Sequence, residues 1–211
     1  MPSNGGAAGT GRRRPFGGLR VIEASAGIAA SYCGKMFADA GADVVKIEPP
    51  GGDPMRRWSA SGADVPPDGH GPLFGYLNAG KRSTVAESPA ADLLGGADLL
   101  VSDGERPGWG ARELHALLPD GSSTVVLSIR PLGLDGPYVA DGTAVNEFVL
   151  QAMCGSIGGR GWPDETPLQA GGRIGEWVGG VYGAVSAAPR RCAAPPAPGT
   201  ATSSTSRCSR R

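Results

Sequence analysis

The chain has 211 residues, 40% of them apolar and 19% charged, a composition that fits a globular protein of one domain or one large fragment. Lys plus Arg and Asp plus Glu stand at 20 each, so no global field draws in nucleic acid or an anionic membrane surface, and an anionic ligand has to be held by a few local cations. The N-terminal MPSNGGAAGTGRRRPFGG has basic residues with no apolar stretch behind them, and no run approaches the ~20 apolar residues of a membrane span, so the cytoplasm is the expected location.

Residues 1–17 are rich in Gly, Ala and Arg without apolar periodicity and read as a disordered tail. The pattern then becomes regular. Leu19–Glu23 is a short β-rich run, and Tyr32, Met36 and Phe37 recur at helical spacing up to Ala40, where Gly41 stops the helix. Ala42–Glu48 is a second strand, ended by the turn-forming Pro49-Pro50-Gly51-Gly52-Asp53-Pro54. These pieces form a β-α-β unit. Two more strands are expected at Leu99–Val101 and Thr124–Ile129, with Ala111–Leu118 as a helix between them.

Strands alternating with helices predict an α/β fold: a Rossmann-like open parallel sheet, with ligands at the carboxyl ends of its strands. Asn146–Ile157 and Ile174–Ala188 have helical patterns, and Gly179, Gly180 and Gly183 in the second allow another backbone to come close. No G-x-G-x-x-G follows the first strand, so a dinucleotide fingerprint has no support. From Ala187 the composition again loses its pattern. The folded part is therefore expected over 18–188, with 189–211 as a second disordered tail.

Cys33, Cys154, Cys192 and Cys208 include no C-x-x-C pair and read as reduced thiols. His70 and His115 stand in no metal-ligand spacing and read as surface residues, so no metal site is expected.

Several segments resemble the family III CoA-transferases, the group of formyl-CoA transferase, carnitine CoA-transferase and α-methylacyl-CoA racemase. They are GLRVIEAS and ADAGADVVKIEPPGGDPMRRW (Ala38 to Trp58), LNAGKRS (Leu77 to Ser83), ADLLVSDGERPG (Ala97 to Gly108), GPY (Gly136 to Tyr138), NEFVLQAMCGSIGG (Asn146 to Gly159) and GGRIGEWVGGVYGAV (Gly171 to Val185). They occur in the family's order over about 170 residues, the N-terminal half of such a protein. The resemblance implies the large Rossmann-like domain of that family, here incomplete, in a chain of about twice this length whose two copies interlock as a homodimer.

It also implies chemistry in which a carboxylate attacks an acyl-CoA thioester, giving a mixed anhydride and free CoA, and a second carboxylic acid then receives the CoA. A carboxylate is ionised at neutral pH and needs no separate base. The family's aspartate position is held here by Glu176, one methylene longer, which leaves a nucleophile in a reshaped site and a surface acid as the two readings. Glu147 matches a further position near the acyl group, or is an exposed helix acid.

By the same resemblance the phosphates of coenzyme A meet Asn78, Lys81, Arg82 and Arg112, with the backbone of Ile28 and Ala29 near the adenosine. Arg suits bidentate phosphate contact and Lys a point charge. A plain solvated basic pair at Lys81-Arg82 is the alternative. The Ile28-Ala29-Ala30-Ser31 segment departs from the family's usual Ala-Gly-Pro turn. Acyl-CoA is a substrate here and no permanently bound cofactor is implied.

Two other functions stand open: a non-catalytic CoA-binding or subunit-interaction protein, and a racemase. The racemase branch pairs an acid with a histidine whose place is Thr143 here, which makes racemisation the weaker of the two. After Ala188 the sequence PRRCAAPPAPGTATSSTSRCSRR departs from the family. Read one base out of frame, its codons permit a segment resembling the family's continuation, so a frameshift near codon 188 is expected and with it a truncated product.

Overall fold

The structure, a computed structural model, describes residues 14–193. Strands β1 (Arg20–Ala24), β2 (Asp43–Glu48), β3 (Arg82–Val85), β4 (Leu99–Ser102) and β5 (Val125–Ser128) form one sheet in the order β3-β2-β1-β4-β5, and all its pairings are parallel. The expected α/β open parallel sheet is the observed fold. Val21, Ile22, Val44, Val45, Ile47, Leu99, Leu100 and Val101 are buried, as central parallel strands covered on both faces require, and this is why their sequences are apolar runs interrupted only by Glu23 in β1 and Lys46 in β2.

Helices α1 (Ile28–Asp39), α2 (Pro72–Asn78), α3 (Ala91–Leu94), α4 (Ala111–Ala116), α5 (Pro137–Ala140), α6 (Glu147–Met153) and α7 (Ile174–Ala193) complete the described elements, with a 3-10 turn at Pro54–Arg57. On one face of the sheet, Cys33 and Phe37 of α1 and Ala184 and Ala187 of α7 pack on Val21, Val44 and Val101. On the other, Leu94, Trp109 and Leu114 cover Ile22, Val45, Ile47 and Leu100. The close approach expected of the glycine-rich helix is present. A Cβ on Gly180 would fall 2.5 Å from the Ala29 carbonyl oxygen, and one on Gly183 would fall 2.6 Å from Ile129 Cδ1.

The chain runs outward from β1 through β2 to β3, then returns to place β4 on the other side of β1. That reversal opens a crevice at the carboxyl ends of β1 and β4, where open α/β sheets bind ligands. Across it the Ala26 amide donates to Asp103 Oδ2 at 2.7 Å.

Several elements differ from the sequence expectation. The β3 strand was not anticipated, because Arg-Ser-Thr-Val at a sheet edge has no buried face to reveal it. Helix α1 starts at Ile28, four residues before Tyr32, because its first turn is made of small residues with no long apolar side chain to mark a period. Helix α6 stops at Met153 instead of Ile157, where Gly155 takes a positive φ of 72°.

The ends differ too. Residues 14–17, assigned by composition to the tail, enter a turn in which the Phe16 amide donates to the Ala40 carbonyl at 3.1 Å. Helix α7 continues five residues past Ala188. The rest of both expected tails, 1–13 and 194–211, lies outside the described residues.

Candidate active site

Glu176 lies in the first turn of α7, and the packing of α7 on α1 brings it to the start of α1. Its Oε2 accepts the Ile28 backbone N–H at 3.1 Å, the first amide of α1, beside Gly27. A carboxylate there meets unpaired amides and the positive end of the helix dipole. Its Oε1 pairs with Arg173 at 2.5 Å, and the carboxyl remains partly open, 20% exposed. Ile28 therefore contributes its backbone to Glu176, while the Ala29 carbonyl lies under Gly180.

Glu147 stands one step behind. In the first turn of α6, its Oε1 accepts the Gly175 amide at 2.8 Å and the Gln151 side-chain amide at 2.7 Å. Gln151 is buried, donates to the Ala170 carbonyl and accepts from Arg160 and the Ala170 amide. Thus Glu147 holds the backbone immediately before Glu176. A Cβ on Gly175 would collide with Leu150 Cδ2 at 2.7 Å, so the glycine lets the two acidic turns come this close.

Beneath the β1–α1 turn lies a buried charge cluster that sequence reading passed over. Lys46 Nζ reaches Glu23 Oε1 at 2.9 Å, Asp53 Oδ2 at 2.8 Å, the Ser25 carbonyl and Ser31 Oγ. Lys81 Nζ donates to Glu23 Oε2 at 2.7 Å, to the Ser31 carbonyl and to Asn78 Oδ1. Two cations face two carboxylates, so the cluster balances.

Burial pushes the Glu23 carboxyl up, but the two ammonium groups outweigh it and bring it down to about 2. Burial also opposes the charge on both lysines. Lys46, with Glu23 and Asp53, ends above its usual range, while Lys81, sharing only Glu23 and repelled by Lys46, ends below. The detectable signal was a Glu and a Lys inside otherwise apolar strands.

The phosphate candidates divide. Lys81 has its donors occupied by protein acceptors, and Asn78 is one of them. Arg82, adjacent in sequence, points outward on β3 in a bidentate pair with Asp43. Arg112 is elsewhere, on α4, lining a cleft of about 440 Å³ with Arg106, Arg130 and the Gly104–Gly108 loop. Arg106 is anchored to the Ile47 and Ala86 carbonyls and stacked on Trp109, whereas no hydrogen bond or ion pair among the described residues engages the Arg112 or Arg130 guanidinium. Arg130 was not anticipated, since nothing in its local sequence links it to Arg112.

Among the described residues no group of three His, Cys, Asp or Glu could hold a metal ion, and no helix is long and apolar enough to cross a membrane. Cys33 is buried, and burial pushes its thiol up to about 12, so it is unreactive.

An open five-stranded parallel sheet covered by helices on both faces defines the class, an α/β protein. The chain belongs to CoA-transferase family III, whose sequence profile matches residues 16–189. It is 33% identical over 190 residues to a succinate–glutarate CoA-transferase of Agrobacterium fabrum, covering 81% of this chain and 45% of that protein. It is 31% identical to a succinyl-CoA–D-citramalate CoA-transferase of Chloroflexus aurantiacus, covering 82% and 44%. A solved CaiB/BaiF family protein from Brucella suis superposes with a TM-score of 0.71 at 28% identity, over 83% of this chain and 48% of that one. The chain thus spans about half the length of the relatives it matches.

Proposed function

We propose that the chain transfers coenzyme A between carboxylic acids with Glu176 as nucleophile. A Glu176 carboxylate oxygen attacks the thioester carbonyl carbon; the new C–O bond forms as the C–S bond breaks, and the electron pair leaves on the CoA thiolate. The product is a mixed anhydride on Glu176; the thiolate then attacks its Glu176 carbonyl carbon, releasing the donor carboxylate and leaving a glutamyl-CoA thioester. A carboxylate oxygen of the second acid displaces the thiolate from that thioester, and the thiolate attacks the acceptor carbonyl of the new anhydride, giving the product acyl-CoA and restoring the Glu176 carboxylate. The observation that carries this reading is the position of Glu176, partly open at the switch-point crevice and facing the first amide of α1. Amides at such a helix start are suited to stabilise the oxyanion that develops on the thioester. Glu147 supports the reading by holding the Gly175 amide, so it acts on the nucleophile's position.

Coenzyme A is a substrate, and its phosphates fit the cleft of Arg112 and Arg130, two cations without protein partners among the described residues. Contact with Lys81 would first require its release from Glu23, and contact with Arg82 its release from Asp43. The second reading, a non-catalytic CoA-binding protein, draws on the fact that both Glu176 oxygens are engaged. Racemisation finds no histidine at Thr143.

Hydroxylamine trapping with an acyl-CoA tests the assignment. Acyl hydroxamate formed by the chain and lost in Glu176→Gln supports the transferase; CoA binding without hydroxamate supports the binding protein.

A partner chain, a second copy interlocked with the first or a different subunit, is supported by exposed Val178, Tyr182 and Val185 along α7. Two relatives from Chloroflexus aurantiacus are named as alpha and beta subunits of a succinyl-CoA–L-malate CoA-transferase. Sedimentation velocity distinguishes a monomer from a dimer. A folded part that contains 18–188, a cytoplasmic location and an out-of-frame 189–211 belong to the same proposal; resequencing the coding DNA past codon 188 tests the last.

A further inference from the structure

Arg173 is the one non-glycine residue with positive φ among the described residues, at 57°. An L-residue with a long side chain adopts that region at a cost, and Gly171 and Gly172 stand next to it. The conformation holds the guanidinium in a specific place. Its Cζ lies 5.0 Å from the centre of the Trp58 ring, and its NH2 pairs with Glu176 Oε1. Trp177 fixes the turn from the other side, donating its indole N–H to the Gly172 carbonyl at 3.0 Å.

This arrangement has a consequence for Glu176. With Oε2 on the Ile28 amide and Oε1 on Arg173, both oxygens are engaged, and the guanidinium offsets the negative charge that Oε1 would bring to a thioester, so release of that pair makes Oε1 the stronger nucleophile. The Ile28 amide is part of the α1 backbone and cannot move away alone. Arg173 can: its side chain is 51% exposed, and a guanidinium stacked on an indole keeps its in-plane N–H groups available for a second acceptor. An acceptor that competes well for those groups is a carboxylate.

We propose that Arg173 is the residue that selects the acyl group, favouring acyl-CoA thioesters that carry a second, free carboxylate. This rests on Glu176 being the nucleophile. The distal carboxylate of a short dicarboxylic acyl group takes the guanidinium, which orients the thioester and at the same time frees Glu176 Oε1 to form the C–O bond. An uncharged acyl group of the same length leaves the Arg173–Glu176 pair closed. Arg173 is thus a specificity residue that touches both substrate and nucleophile.

The test compares succinyl-CoA with butyryl-CoA, which match in chain length and differ in the terminal carboxylate. Initial rates of hydroxamate formation are measured at limiting thioester for the 211-residue chain, Arg173→Gln and Arg173→Gly. The glycine variant also removes the backbone strain, so it folds even if the glutamine variant does not. The expected result is a preference for succinyl-CoA on the order of 100-fold in the unaltered chain, falling to within a few-fold in both variants, with the succinyl rate lowered and the butyryl rate raised. An equal loss on both thioesters, or no preference in the unaltered chain, overturns the proposal.

Absence of hydroxamate from both thioesters would instead overturn the nucleophile assignment. Equilibrium binding of the two thioesters then decides the role of Arg173 separately. Tighter binding of succinyl-CoA that is lost in Arg173→Gly keeps the selectivity, and equal binding of both removes it.

Discussion

Two glutamates on either side of the same short turn have opposite surroundings. Glu23, one residue before the end of β1, has no exposed surface and lies between Lys46 and Lys81; Glu176 lies above the turn, partly open, sharing one exposed arginine and one helix amide. The buried site has every charge matched within the protein, so it resists exchange of partners and fixes the turn that presents Ile28. The open site keeps an exchangeable partner, as the proposed nucleophile needs. Burial with complete pairing makes a support, and partial pairing at a crevice leaves room for chemistry.

The sharpest way to break the comparison is to unbalance the buried side. Lys46→Met takes the ammonium away from Asp53 and leaves Glu23 with Lys81 alone, and urea unfolding is expected to show a loss of about 3–5 kcal/mol. Glu176→Gln is expected to lose no more than about 1 kcal/mol, because the amide side chain still accepts from Ile28 and the site is partly solvated.

Acid provides the next largest effect. The Glu23 carboxyl is depressed from its ordinary 4.5 to about 2, so its contribution is fully present above pH 4.5 and is lost as pH falls through about 2. At about 1.4 kcal/mol per unit, the loss across that window is about 3 kcal/mol, read from unfolding midpoints at successive pH values. Glu48, also brought down to about 2, by its hydrogen bond with Arg56, adds in the same direction. The Glu23 share of the acid slope should vanish in Glu23→Gln.

A smaller effect tests the fit of α1 over the cluster. A Cβ on Gly34 would collide with Glu23 Oε2, so Gly34→Ala is expected to cost about 1–3 kcal/mol by displacing the carboxylate from Lys81, measurable by thermal unfolding. Arg82→Ala is expected to leave the midpoint unchanged, since its pair with Asp43 is exposed on the sheet edge. A large effect there would remove the distinction between Lys81 and Arg82.

Amino-acid order determined the apolar runs of β1, β2, β4 and β5, the glycines that let α7 lie on α1, and the family segments that single out Glu176 and Glu147. These are local signals, carried by periodicity, small residues at contacts and short motifs. The tertiary structure decided which charges meet. Glu23, Lys46, Asp53 and Lys81 are spread over four segments, and the parallel register of β1 and β2 with the crossover to α2 brings their charges together. Likewise Arg112 and Arg130 line one cleft through the pairing of β4 with β5, and Glu176 reaches Ile28 through the packing of α7 on α1. Electrostatic pairing depends on separation in space, and spatial separation between distant segments is set by how the sheet is ordered and covered.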